Sequence, residues 1–327
     1  MSMFEHDHEG GRRAAGGGRR AAGGWVVGHH RSMPSSELLR VRDLVPDFLA
    51  GLDACAGTPA VTWPPRWRTR YLGRHEDVRR ALDRDGEWPG TEDLAGVLLA
   101  LRDRADDLVA RADAVRALLP DGVAAVCDAL GWADRAEPVE CVLLVGLHRA
   151  NGWADTLDGR YALFLAVEEL GPPGDDRLLV LHEGAHVVHD RLAAIRDWPE
   201  HGVANTLFVE GLATRVSAEL DPGRPAEDHL WFGRTGYRPW RDECRRRWPE
   251  ILDRVHADLA ATDEARHAAY FRMRDAGDLP KRCGYLVGLA LVGRLRERHP
   301  LAELARWPLP RVRAELGRAL AGLPAPD

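Results

Sequence analysis

The chain has little with which to hold nucleic acid, a membrane or a disulfide framework. Among its 327 residues there is a single lysine, Lys281, and the formal net charge is −6. Its positive charge is almost all arginine, interspersed with acids along most of the length, which leaves no basic face to follow a phosphate backbone. Nucleic acid is therefore not an expected partner. The five cysteines (Cys55, Cys127, Cys141, Cys244, Cys283) are odd in number and never spaced Cys-x-x-Cys, which argues against a disulfide framework and a thiolate zinc knuckle and fits a reducing compartment. No apolar run approaches the roughly 20 residues that cross a bilayer, so no membrane partner is expected. The opening residues also lack the continuous apolar segment of a secretion signal, and the expected address is the cytoplasm. What is present is ordinary hydrophobic content, 45%, enough for a buried core.

Three regions follow from composition and periodicity. Residues 1–36, with GGRRAAGGGRRAAGG, hold too few apolar side chains to offset chain entropy and read as a disordered tail. Its His6, His8, His29 and His30 would bind metal only adventitiously. Residues 37–135 read as helical. The clearest helix starts with Thr91 as N-cap, followed by Glu92 and Asp93, carries Leu94, Val97, Leu98, Leu101, Ala105, Leu108, Ala112 and Val115 on one stripe, and stops at Pro120. Residues 136–327 begin with two apolar runs, PVECVLLVG (138–146) and YALFLAVEE (161–169), which read as strands joined by a loop or hairpin connection. Helical patterning then resumes after Asp175-Asp176 and lasts to the end. The expected class is α+β, mostly helical, with a small antiparallel or mixed sheet.

Chemistry concentrates in LLVLHEGAHVVHD, residues 178–190. His182 and His186 are four apart, so on a helix they share a face about 6 Å from each other and both reach one ion. Glu183, beside the first histidine, is placed to take a proton from water on that ion, the His-Glu-x-x-His arrangement. The uncharged flanks Leu179, Val180, Leu181, Val187 and Val188 suit a buried helix. The alternative, a core that merely tolerates these groups, must bury three polar side chains that nothing local pairs. Catalytic zinc normally takes three protein ligands. The helix continues about 13 Å past His186 to Ile195, breaks at Asp197–Gly202, and a second helix capped by Asn205 returns level near Glu210. Gly211 and Ala213 beside it permit close approach of the two helices. Glu219 falls on the opposite face, His189 lies too far along the axis to share the ion, and His201 is the runner-up ligand.

HEGAH followed by EGLA (Glu210 to Ala213) resembles the gluzincin branch of the zincin metallopeptidases, and more narrowly predicted zinc-dependent peptidases with a following Gly-Tyr helix, here CGYLVGLALVGRL, 283–295. The resemblance implies a zincin-like catalytic domain over 136–327, with His182, His186 and Glu210 holding one Zn2+ per chain and Glu183 as general base. The implied activity is hydrolysis of a peptide or protein substrate. It also implies an edge strand that binds extended substrate, assigned to YALFLAVEE, with an interior strand as the alternative. An oxyanion donor is expected from Tyr285, with His256 and His267 as alternatives and a core tyrosine as the bland reading. One departure stands out: where thermolysin-like relatives place an aspartate that orients a histidine, this chain has Thr214. Two other readings remain, an idle zincin-fold binding or regulatory protein, and a zinc hydrolase of a non-peptide amide.

Overall fold

The computed structural model describes residues 38–82, 94–133, 137–148, 150–171, 173–231, 236–272 and 277–326. The tail with its four histidines, and the Thr91 cap with Glu92 and Asp93, lie outside them. Four strands form one mixed sheet in the order β1-β2-β4-β3: β1 (Leu39–Asp43), β2 (Val139–Leu144), β3 (Gly152–Leu157) and β4 (Arg160–Ala166). β2 lies parallel to both β1 and β4, while β3 and β4 are antiparallel. Asp158 and Gly159, both at positive φ (48° and 84°), close the β3–β4 hairpin, the backbone a two-residue turn requires.

Three expectations about this region are corrected. The region from Glu37 does not begin with helix, because Leu39-Arg40-Val41-Arg42 alternates with period two and pairs with Val139–Val142. The segment between the two apolar runs is more than a connection, since it contains β3. Most consequentially, YALFLAVEE is not an edge. Its strand part ends at Ala166 and lies between β2 and β3, buried from Ala162 onward, as an uninterrupted apolar run implies for an interior strand.

The helices before and around the sheet are α1 (Val45–Asp53), α2 (Trp63–Arg70), α3 (Glu76–Leu82), α4 (Leu94–Arg102) and α5 (Ala105–Ala129). The single helix expected up to Pro120 is thus two, parted at Asp103-Arg104, and α5 runs through Pro120. Its buried stripe explains why: Leu108, Ala112, Val115 and Leu119 continue as Val123 and Val126 beyond the proline. Packing along 25 residues outweighs the roughly 3 kcal/mol that an interior proline costs. α5 lies against β1 and against α6 (Pro173–Ala193), and α6 also packs on β3 and β4. The α5–α6 approach needs Gly122, where a Cβ would lie 2.7 Å from Val180 Cγ1.

The remaining helices are α7 (Val203–Leu220), α8 (Ala226–Trp231), α9 (Tyr237–Arg246), α10 (Trp248–Asp258), α11 (Glu264–Phe271), α12 (Cys283–Arg296), α13 (Leu301–Leu304) and α14 (Leu309–Leu320). α7 is clasped by α6, α12 and α14. Its cap is Gly202 rather than Asn205, which sits inside the first turn and donates from Nδ2 back to the Pro199 carbonyl at 2.5 Å. All five cysteines are buried free thiols, and no helix of the described residues is long and apolar enough to cross a membrane.

Asp176 secures the start of α6. Its Oδ1 accepts the Gly171 N–H at 2.8 Å, and burial pushes its carboxyl up from 3.8 to about 6. A carboxyl raised in this way holds its proton more tightly folded than unfolded, so its contribution to stability is full below about pH 4 and is lost as pH climbs through about 6. Asp176→Asn is expected to flatten that decline by up to about 3 kcal/mol. Denaturant unfolding of both proteins across this window measures it, and equal slopes would refute the assignment.

Candidate metal centre

Helix α6 turns His182, Glu183 and His186 into the interior, where they are 1%, 0% and 4% exposed. Groups this polar are kept from water only where something compensates them. The two imidazoles stand nearly perpendicular, centroids 5.0 Å apart, and ligand atoms from the three side chains all lie within 4.8 Å of one another.

The third candidate donor comes from α7. Glu210 is 2% exposed, and its Oε2 lies 3.3 Å from His182 Nε2 and 3.6 Å from His186 Nε2. Tetrahedral zinc with bonds of 2.0–2.1 Å separates its ligands by about 3.3 Å, so these spacings match two edges of such a tetrahedron. His186 Nε2 is buried and makes no hydrogen bond among the described residues, as a nitrogen reserved for a cation would. Charge agrees with geometry. Burial acts to raise the Glu210 carboxyl, but the imidazoles of His186 and His182 outweigh it and hold the group well below the usual carboxylate range. Burial also lowers His182, more than its contact with Glu210 raises it. A carboxylate and a neutral imidazole are the forms that bind a metal, and two nitrogens with one oxygen suit zinc.

Gly211, next to Glu210, has a different neighbour from the one expected. It faces α12, not α6: a Cβ there would lie 2.3 Å from the Gly288 carbonyl oxygen. The converse holds at Gly288, where a Cβ would lie 2.4 Å from Leu207 O. The two backbones touch, and this contact positions the helix that carries Glu210. Gly284, earlier on the same helix, accommodates the Phe271 ring of α11.

Tyr285 sits buried in the first turn of α12, and Arg282 immediately precedes that helix at φ 56°. Sequence reasoning missed Arg282. It is 3% exposed, with its guanidinium carbon 4.0 Å from the Tyr285 ring centroid and 5.7 Å from that of Trp231. Burial lowers its pKa against the pull of Tyr285, Glu210 and Glu183, so a cation stands within the field of both glutamates. Nothing local in the sequence marks it, because one arginine in an arginine-rich chain carries no pattern.

The other candidates fall outside the donor set. His267 pairs through Nε2 with Thr206 Oγ1 at 3.1 Å, and burial brings it down to about 4. His201 lies beside His267 with its ring tilted by 50° and 5.5 Å between centroids, and His256 is exposed on α10. His189 is buried against Trp198 and against Phe208 of α7, and burial drives it down to about 3. Glu219 pairs with Arg215 and Arg296. Thr214 is buried, but its Oγ1 holds no imidazole and makes no hydrogen bond among the described residues. The geometry thus brings His182, Glu183, His186 and Glu210 together and sets Arg282 and Tyr285 nearby. No protein family, curated protein or solved structure matches the chain.

Proposed function

We propose that the chain is a zinc-dependent peptidase with a zincin-like core, acting on peptide or protein substrates in the cytoplasm and binding one zinc through His182, His186 and Glu210. The observation that carries this reading is the convergence of Glu210 Oε2 on both imidazole Nε2 atoms, with the Glu183 carboxylate in the same buried group. When bound, zinc would supply a Lewis acid that makes water acidic near neutral pH and polarises a carbonyl. Glu183 accepts the proton of the attacking water and returns it to the leaving nitrogen, which departs as an amine. Its burial keeps bulk water from competing for that proton. Arg282, with Tyr285 beneath it, provides positive charge near the carboxylates where a developing oxyanion needs compensation. An extended substrate would pair with edge strand β3, which packs on α6, rather than with interior β4.

Purified protein is expected to contain a zinc that His186→Ala releases, measured by mass spectrometry of the metal, and to cleave a mixed peptide pool only while loaded. Zinc present without cleavage would favour a binding protein. Zinc with turnover of simple amides alone would favour a non-peptide hydrolase. Unaltered zinc content in His186→Ala would refute the ligand set.

A further inference from the structure

A second convergence of donors, made of residues outside α6 and α7, lies at the ends of the central strands. After β2 the chain passes through Gly146 and then two successive left-handed residues, Leu147 (φ 52°) and His148 (φ 64°). Side chains pay for such backbone unless something holds it. Here the holder is Glu168, just after β4, whose Oε2 accepts the Gly146 N–H and whose Oε1 accepts the His148 N–H, each at 3.0 Å. Gly146 makes this approach possible, since a Cβ there would lie 2.7 Å from that of Ala166. The turn directs the His148 imidazole onto Glu169, whose Oε1 is hydrogen-bonded to Nδ1.

We propose that His148, Glu168 and Glu169 form a second divalent-cation site, distinct from the one on α6 and α7. One ligand atom from each lies within 4.8 Å of the others. The carboxylate of Glu168 is spoken for on one lone pair of each oxygen by the two N–H groups, which fix its orientation, and the second lone pairs remain for a metal. Charge points the same way. Two carboxylates meet one imidazole, and the Arg104 guanidinium beside this segment is engaged by Asp107 and by the main-chain carbonyl of Glu168 at 3.3 Å. A divalent ion balances the two carboxylates, displacing the proton shared by His148 and Glu169 to solvent. Glu168 is 4% exposed, whereas the side chains of His148 and Glu169 are 24% and 12% exposed, so an ion has a path from solvent. One nitrogen with carboxylate oxygens suits zinc or manganese. Bound there, the ion would tie the end of β2 to the segment leading into α6.

The full-length His182→Ala/His186→Ala variant isolates this site from the first. Stripped of metal and titrated with manganese or zinc, it is expected to take up an ion and to gain thermal stability. Adding His148→Ala, or in a separate protein the isosteric Glu169→Gln, is expected to weaken uptake at least tenfold, a difference that the tail histidines, present in every variant, do not produce. Uptake that is unchanged by both additions, or absent from the double variant while the parent binds its zinc, overturns this proposal and leaves the peptidase reading intact. Should the double variant keep all the metal of the parent and lose it with His148→Ala, the second site stands and the ligand set on α6 and α7 falls.

Discussion

Glu183→Gln is expected to leave bound zinc at the parental level and to lower peptide hydrolysis by roughly two to four orders of magnitude, the usual worth of a positioned general base. The amide has the size of the carboxylate and fits the same space in a site with no exposed surface at that residue, so packing is retained. What changes is basicity: a neutral amide cannot take the proton of water or carry it to a leaving amine. Zinc content is expected to be retained because the proposed ligands are His182, His186 and Glu210, not Glu183. Turnover of the best peptide from the mixed pool, measured beside metal content, tests this. Parental hydrolysis rates in the variant would remove Glu183 from the mechanism.

Gly211→Ala carries the largest expected cost to the fold. Most overpacked cores relax by moving side chains and lose about 1–3 kcal/mol. Here the new methyl would lie 2.3 Å from the carbonyl oxygen and 2.4 Å from the carbonyl carbon of Gly288, both backbone atoms of a helix. No rotamer change relieves that contact, and α7 and α12 have to part. A loss of about 3 kcal/mol or more is expected, with weaker zinc binding because the adjacent Glu210 moves with α7. Gly223→Ala, with nothing within 4 Å of the added carbon, is the control and is expected to change stability by less than about 0.5 kcal/mol. Denaturant unfolding and zinc titration of the two variants decide the matter. Equal stabilities would mean that the helices are not in backbone contact.

The legible parts of the sequence were those where one local rule acts alone. Spacing of four placed His182 and His186 on one helical face, and counting the rise out and back across the break at Asp197–Gly202 reached Glu210. Expectations failed where tertiary contacts decide. LRVRD is too short for its alternation to outweigh the helical pattern beyond it, and becomes a strand because β2 offers it a ladder. Pro120 would stop an isolated helix, yet α5 continues because its stripe is buried against α6. Whether YALFLAVEE is an edge depends on the partners of β2, which no periodicity encodes. Arg282 gathers its surroundings from α8, α12 and the two glutamates, so only the assembled chain reveals it.

The enclosure of the four residues on α6 and α7 bears on traffic as well as on chemistry. With zinc bound as proposed, donors with so little contact with solvent would neither capture nor surrender the ion through the closed protein, and exchange would wait for the packing around α7 and α12 to open. The lifetime of the loaded state would then be governed by the frequency of that opening as well as by the strength of the bonds to the ion, and a cation enclosed as the chain folds would stay with it far longer than its affinity alone implies.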